Sequence, residues 1–174
     1  MQKFKKQNKF KENTLYNNIL LLSRNKIFYT KFKLKDTFQN RIHLIFIHIS
    51  FIFIKIKHTK KNDIYKLFYQ NMFDLIFSKI DENMREIGFG DAPVNKNMRF
   101  LVKLFYNILL DCEKYRKMTT KTKNILINKY LVLNDDVYNA DNTGIIKYFD
   151  KYEAFCFDLN SDSVLEGKLK FIYN

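Results

Sequence analysis

The chain has 174 residues, of which 47% are hydrophobic and 28% charged, and it carries a net charge of +13. That is the length of one domain with a real core, and the apolar content excludes general disorder. The two cysteines, Cys112 and Cys156, lack metal spacing and are too few for a disulfide framework, which predicts buried thiols in a reducing compartment.

The charge is one-sided. Residues 1–62 hold 15 Lys and Arg against 2 Asp and Glu, whereas residues 63–174 hold 16 of each kind. A positive first third favours an anionic surface, either lipid headgroups or RNA. For residues 1–12 a solvated, mobile basic tail is an equally good account, leaving residues 13–174 as a single helical domain. The apolar run at residues 19–22 is too short for a signal-peptide core.

In chain order, Thr14 is placed to cap a first helix ending near Ser23. A second, short helical piece covers residues 26–32. Basic and aromatic residues interleave over residues 26–35, a pattern that suits RNA stacking or a lipid interface. Asp36 and Thr37 supply an N-cap for a long apolar helix to about Lys57. Its most apolar part, residues 42–54, spans ~20 Å as a helix against ~30 Å of bilayer hydrocarbon. It also contains His43, His48 and Ser50, so a helix buried in a soluble core is expected.

Asp63 caps the next helix. Apolar residues at Leu67, Phe68, Met72, Leu75, Ile76, Ile80, Met84 and Ile87 keep a helical period for about six turns. The pattern then breaks at Gly88, Gly90, Asp91 and Pro93, a stretch holding two of the four glycines and the single proline. Gly88 can end a helix in the left-handed conformation, and Gly90 lets the backbone turn again. Asp91 is placed to cap a helix beginning near Val94, with Pro93 at its start. The period resumes at Met98, Leu101, Val102, Phe105, Ile108, Leu109 and Cys112, to about Lys117. Thr119 and Thr120 can cap a helix through Leu131. Residues 134–136 and 140–144 read as loops, and residues 145–159 as a last helix. Gly167 suggests a turn before a short extended end; residues 161–174 are otherwise unassigned. The expected fold is all-α: a single-domain helical bundle with two long helices joined by a Gly-x-Gly-Asp turn.

Catalytic chemistry is not expected. On one helix His43 and His48 lie about 140° apart in rotation, so they do not share a metal ion easily. No P-loop, dinucleotide fingerprint or nucleophile elbow is present. Asp81 and Arg85 are i, i+4 neighbours, a surface pairing.

Residues 81–96 combine an acidic helix end, a basic residue, a Gly-x-Gly-Asp turn, a hydrophobic residue and a lysine: Asp81, Arg85, Gly88, Gly90, Asp91, Val94 and Lys96. In these positions the chain resembles the ubiquinol–cytochrome c chaperone family, the assembly factors of the cytochrome bc1 complex. The resemblance extends to Leu15, Tyr16, Arg24, Phe28, Tyr29, Asp36, Thr37, Arg41, His48, Phe105 and Tyr106, and more weakly to Asn128 and Gly167. It implies a helical assembly chaperone that binds newly made cytochrome b, or another bc1 subunit, without catalysis, cofactor or metal. Arg41, His48, Arg85, Asp91 and Lys96 are then the candidate client or partner contacts, with Gly88, Gly90 and Pro93 forming a structural turn. Mitochondrial relatives act with a second small protein partner. A cytoplasmic location follows, peripheral on the cytoplasmic face of the inner membrane, and mitochondrial in eukaryotic relatives. The chain departs from the family pattern after Tyr106, where Asn107 and Ile108 replace the usual Gly and Arg, and at Cys112, where a Tyr is expected. The alternative function is a basic RNA- or ribosome-binding module, whose binding would weaken steeply with salt.

Overall fold

In a computed structural model, the backbone is described for residues 2–57, 62–133 and 142–173, and side chains for residues 10–57, 63–133 and 142–173. Helix α1 (Gln2–Ser23) is followed by the single-turn α2 (Ile27–Thr30), α3 (Phe38–Lys57), α4 (Asn62–Glu86) and α5 (Asp91–Lys114). A 3-10 turn (Tyr115–Lys117) leads to α6 (Thr120–Tyr130), α7 (Thr143–Asp158) and the short α8 (Ser161–Leu165). The described residues hold no β-structure beyond one isolated bridge between Leu34 and Leu133. The expected all-α bundle is therefore the observed architecture.

Helix α3 forms the axis, and α1, α4, α5, α7 and α8 all pack on it. Its side chains from Ile42 to Phe53 are buried, which explains a run of hydrophobicity that continues around the whole helix. Among the described residues, no helix is long and apolar enough to cross a membrane. Most of the polar groups that α3 buries are tied down, His43 Nε2 being left without a hydrogen-bond partner among the described residues. Ser50 Oγ donates to the Phe46 carbonyl. Asn40 Nδ2 donates to the carbonyls of Lys35 and Val132, while its Oδ1 accepts from Val132 N–H. One amide thus fastens the segment before α3 to the segment after α6, beside the bridge.

Several helix starts follow the expected capping chemistry. Thr37 Oγ1 accepts from Asn40 N–H at the head of α3, and Thr119 Oγ1 accepts from Thr122 N–H at the head of α6. Thr14 does not cap. Helix α1 already runs from Gln2, and the Thr14 hydroxyl bonds back to the Phe10 carbonyl inside it. Asp36 is not the cap of α3 either; it pairs with Arg41. Asp63 lies in the first turn of α4. The loop expected at residues 134–136, and the first part of the one at 140–144, lie outside the described residues.

Helix α8 and the C-terminal segment close the bundle. Gly167, at φ +75°, ends α8 in the left-handed conformation, with Lys168 N–H bonded to Ser163 O and Gly167 N–H to Val164 O. A Cβ there would lie 2.5 Å from the Lys11 carbonyl of α1. Asn18 Nδ2 donates to the Gly167 carbonyl. The following residues have no regular secondary structure and lay Phe171 and Tyr173 against Tyr148 and Tyr152 of α7.

Candidate functional site

Helices α4 and α5 form a long hairpin whose two ends differ. At the closed end, Gly88 sits at φ +96°. Phe89 N–H bonds to Met84 O and Gly88 N–H to Arg85 O, the hydrogen-bond pair of a Schellman stop. Gly90 is the N-cap of α5 at φ −73°, ψ 170°, a conformation open to any residue, and a Cβ there meets nothing within 4 Å. The expected need for glycine at position 90 is therefore not observed. Asp91 is the first residue inside α5 rather than the cap of a helix starting at Val94. Its carboxylate pairs with Arg85, whose Nε also binds Asp81 at 2.7 Å. The Arg85 guanidinium thus joins the last turn of α4 to the first turn of α5. Pro93 falls in the first turn of α5, where its missing N–H costs nothing. Lys96 is exposed one turn further on.

At the opposite end, α4 and α5 leave a groove of about 620 Å³ between them. Phe53 and Ile56 of α3 form its floor, Tyr65 and Tyr69 of α4 one wall, and Tyr106 and Leu110 of α5 the other. The Tyr69 hydroxyl is pushed well above its usual range by burial and by its hydrogen-bonded neighbour Tyr106, so it stays neutral. Charge is confined to the rim. Lys57 and Glu113 pair at 2.6 Å, and Lys66 lies 3.8 Å from Asp63. Beneath the groove, Phe105 is buried among Phe46, Phe53, Phe73, Phe77 and Tyr106, with ring centroids 5.2 to 6.0 Å away. From Tyr69 to Arg85 the α4 axis rises ~24 Å, so the groove and the Gly-x-Gly-Asp turn are separate places.

The candidate contact residues are thus dispersed. Arg85, Asp91 and Lys96 stand at the closed end. Arg41 is exposed at the head of α3, held by Asp36 through two hydrogen bonds of 2.7 and 2.9 Å. His48 is fully buried against α7, so its expected place as a client contact gives way to a packing role. The Leu44 carbonyl can only accept, so His48 Nδ1 carries the proton and Nε2 accepts from the Tyr148 hydroxyl at 2.8 Å. Burial lowers the His48 pKa to about 4, against a small opposing effect from the Leu44 carbonyl, and keeps the ring neutral. His43 faces the Tyr130 carbonyl instead, so the two histidines serve different helices. Among the described residues, no group of three His, Cys, Asp or Glu is placed to hold a metal ion. Both cysteines are buried, and burial pushes their thiols up.

Of the groove residues on α4 and α5, the sequence marks only Tyr106, through the resemblance, and Leu109, through the helical period. Their spacing is that of any helical face turned to the core, and the exposure of Tyr69, Tyr106 and Leu110 follows from how α4 and α5 are set apart. Asn107 is exposed, whereas Ile108 and Cys112 point into the core; the departures from the family pattern on α5 therefore lie away from the groove.

The sequence model of the family described as Ubiquinol-cytochrome C chaperone matches residues 30–171. No curated protein sequence matches the chain. Among solved structures, the crystal structure of the Cbp3 homolog from Brucella abortus superposes with a TM-score of 0.83. The match covers 99% of this chain and 94% of that one at 20% identity, a likeness that speaks for the fold alone.

Proposed function

The chain belongs to the ubiquinol–cytochrome C chaperone family, and we propose that it is an assembly chaperone of the ubiquinol–cytochrome c reductase (bc1) complex that holds newly made cytochrome b. Its activity is binding rather than bond making. The observation that carries this is the apolar groove between α3, α4 and α5. It is open to solvent, and it offers tyrosine and aliphatic surface to an apolar client segment that would otherwise aggregate. The closed end of the hairpin sets the angle between the walls, and Arg85, Asp91, Lys96 and Arg41 are polar positions outside the groove that a partner can reach.

The alternative, RNA binding through interleaved bases and rings, is disfavoured by packing. Phe28 and Phe32 are buried and Tyr29 is partly covered, so two of the three rings of residues 26–35 are closed to base stacking.

The test is a gene deletion complemented with Tyr106→Ser/Leu110→Asp. Both side chains are about half exposed, so the folded protein should persist at normal level and melting temperature. The deletion is expected to lose bc1 activity and cytochrome b, and the groove variant to restore neither. Normal bc1 activity in the deletion strain sinks the chaperone function; full rescue by the groove variant sinks the groove.

A further inference from the structure

Helix α1 is amphipathic, with a clear division of labour between its faces. Leu15, Tyr16, Ile19 and Ser23 are buried against the bundle. At 100° per residue, Phe10, Asn17, Leu21 and Arg24 lie within about 60° of one another on the opposite face. Phe10 is 74% exposed and Leu21 71% exposed, unusual for large apolar side chains on a helix that has already buried its other side. Leu21 and Arg24 are i, i+3 neighbours, so an apolar side chain stands beside a cation.

The chain then turns directly into a cationic corner. Arg24, Lys26, Lys31 and Lys33 are all exposed, and none has an ion-pair partner among the described residues. Phe32 and Leu34 are buried between the outward lysines, so the alternation anchors the segment while presenting its charges. Lys33 takes φ +58°, a conformation that favours glycine or asparagine. It is the one non-glycine residue with positive φ among those described. The backbone is held there by Leu34 N–H to Phe28 O and Lys35 N–H to Val132 O. The one acidic residue between positions 13 and 62, Asp36, is committed to Arg41, so the corner's positive charge is not neutralised from within.

We propose that the outer face of α1 and the α2 corner form a docking surface for an anionic bilayer. Arg24, Lys26, Lys31 and Lys33 meet lipid phosphates, while Phe10 and Leu21 enter the interfacial layer between headgroups and acyl chains. Charge complementarity calls for an anionic partner, and the outward apolar groups select a bilayer over RNA. RNA offers no apolar layer, and two of the three rings in this segment, Phe28 and Phe32, are buried. The surface lies on α1 and α2, apart from the groove, so the protein can rest on a membrane with its client site unobstructed.

The experiment is flotation of the purified full chain with vesicles of phosphatidylcholine alone or mixed with phosphatidylglycerol. Binding is expected only to the mixed vesicles and should weaken with salt. Arg24→Gln/Lys26→Gln/Lys31→Gln/Lys33→Asn should reduce it on the order of a hundredfold, and Phe10→Ser/Leu21→Ser about tenfold. The control Lys103→Gln/Lys117→Gln/Lys121→Gln removes exposed charge elsewhere and should change it only a few-fold. All substituted side chains are exposed, so melting curves should overlay the parent's. Three outcomes overturn the proposal: no binding to the mixed vesicles, equal loss in the control, or vesicle binding unaffected by Phe10→Ser/Leu21→Ser. Tight binding to poly(U) that depends on the cations but not on Phe10 and Leu21, with vesicle binding absent, assigns the corner to RNA instead.

Discussion

The two ends of the α4–α5 hairpin are built from opposite materials. The closed end is exposed and polar, fixed by one left-handed glycine and a guanidinium shared between two carboxylates. The groove end is aromatic, rests on the buried Phe105 cluster, and keeps its charges on the rim. Geometry at the first end depends on backbone conformation, which leaves a mark on the sequence because only glycine suits it. Surface chemistry at the second depends on where two ordinary amphipathic helices stop covering each other, which leaves none.

The contrast can be broken by substitution. The largest effect is expected at the groove end. Phe105→Ala should cost ~3–5 kcal/mol, because it empties a site packed by five rings. Chemical denaturation measures this, and a loss below about 1 kcal/mol would mean that the rings collapse into the gap. At the closed end Gly88→Ala should cost about 1–2 kcal/mol for left-handed backbone, whereas Gly90→Ala should stay within about 0.5 kcal/mol. Equal effects at the two glycines would show that the turn differs from the one described. The smallest effect is expected for Arg85→Gln. Its ion pairs are exposed and screened, so melting in moderate salt should hardly move and bc1 assembly should proceed. Loss of assembly with a folded Arg85→Gln protein would make the closed end a partner contact in its own right.

The sequence made the helices legible where long periods or caps existed. The repeat from Leu67 to Ile87 and the threonines at 37 and 119 mark α4, α3 and α6 closely. Thr14 misled because a threonine bonded to the carbonyl four residues back looks, in sequence, like a cap. Asp91 misled similarly: a carboxylate at a helix start can cap it or pair with a neighbouring cation, and here Arg85 takes it. Helix α8 is five residues long, too short to show a period. Of the candidate residues, Arg85, Asp91 and Lys96 fall together because the turn brings them together. His48 belongs to the core, where it hydrogen-bonds to Tyr148 and packs against the rings of Phe28, Phe149 and Tyr152. The groove was hidden because Tyr65, Tyr69, Tyr106 and Leu110 carry no signal that separates a half-open wall from a closed one.

The clasp between Asn18 and Gly167 joins positions 149 residues apart, and it sets the order of events at the ribosome. At about 5–20 residues per second, α1 emerges roughly 8–30 s before the glycine whose carbonyl it will hold. Until then the seam at Lys11 and Asn18 lacks its cover although α1 can already pack on α3 and α4, and in nascent chains stalled before Gly167 proteases should find that seam, rather than the whole of α1, less protected.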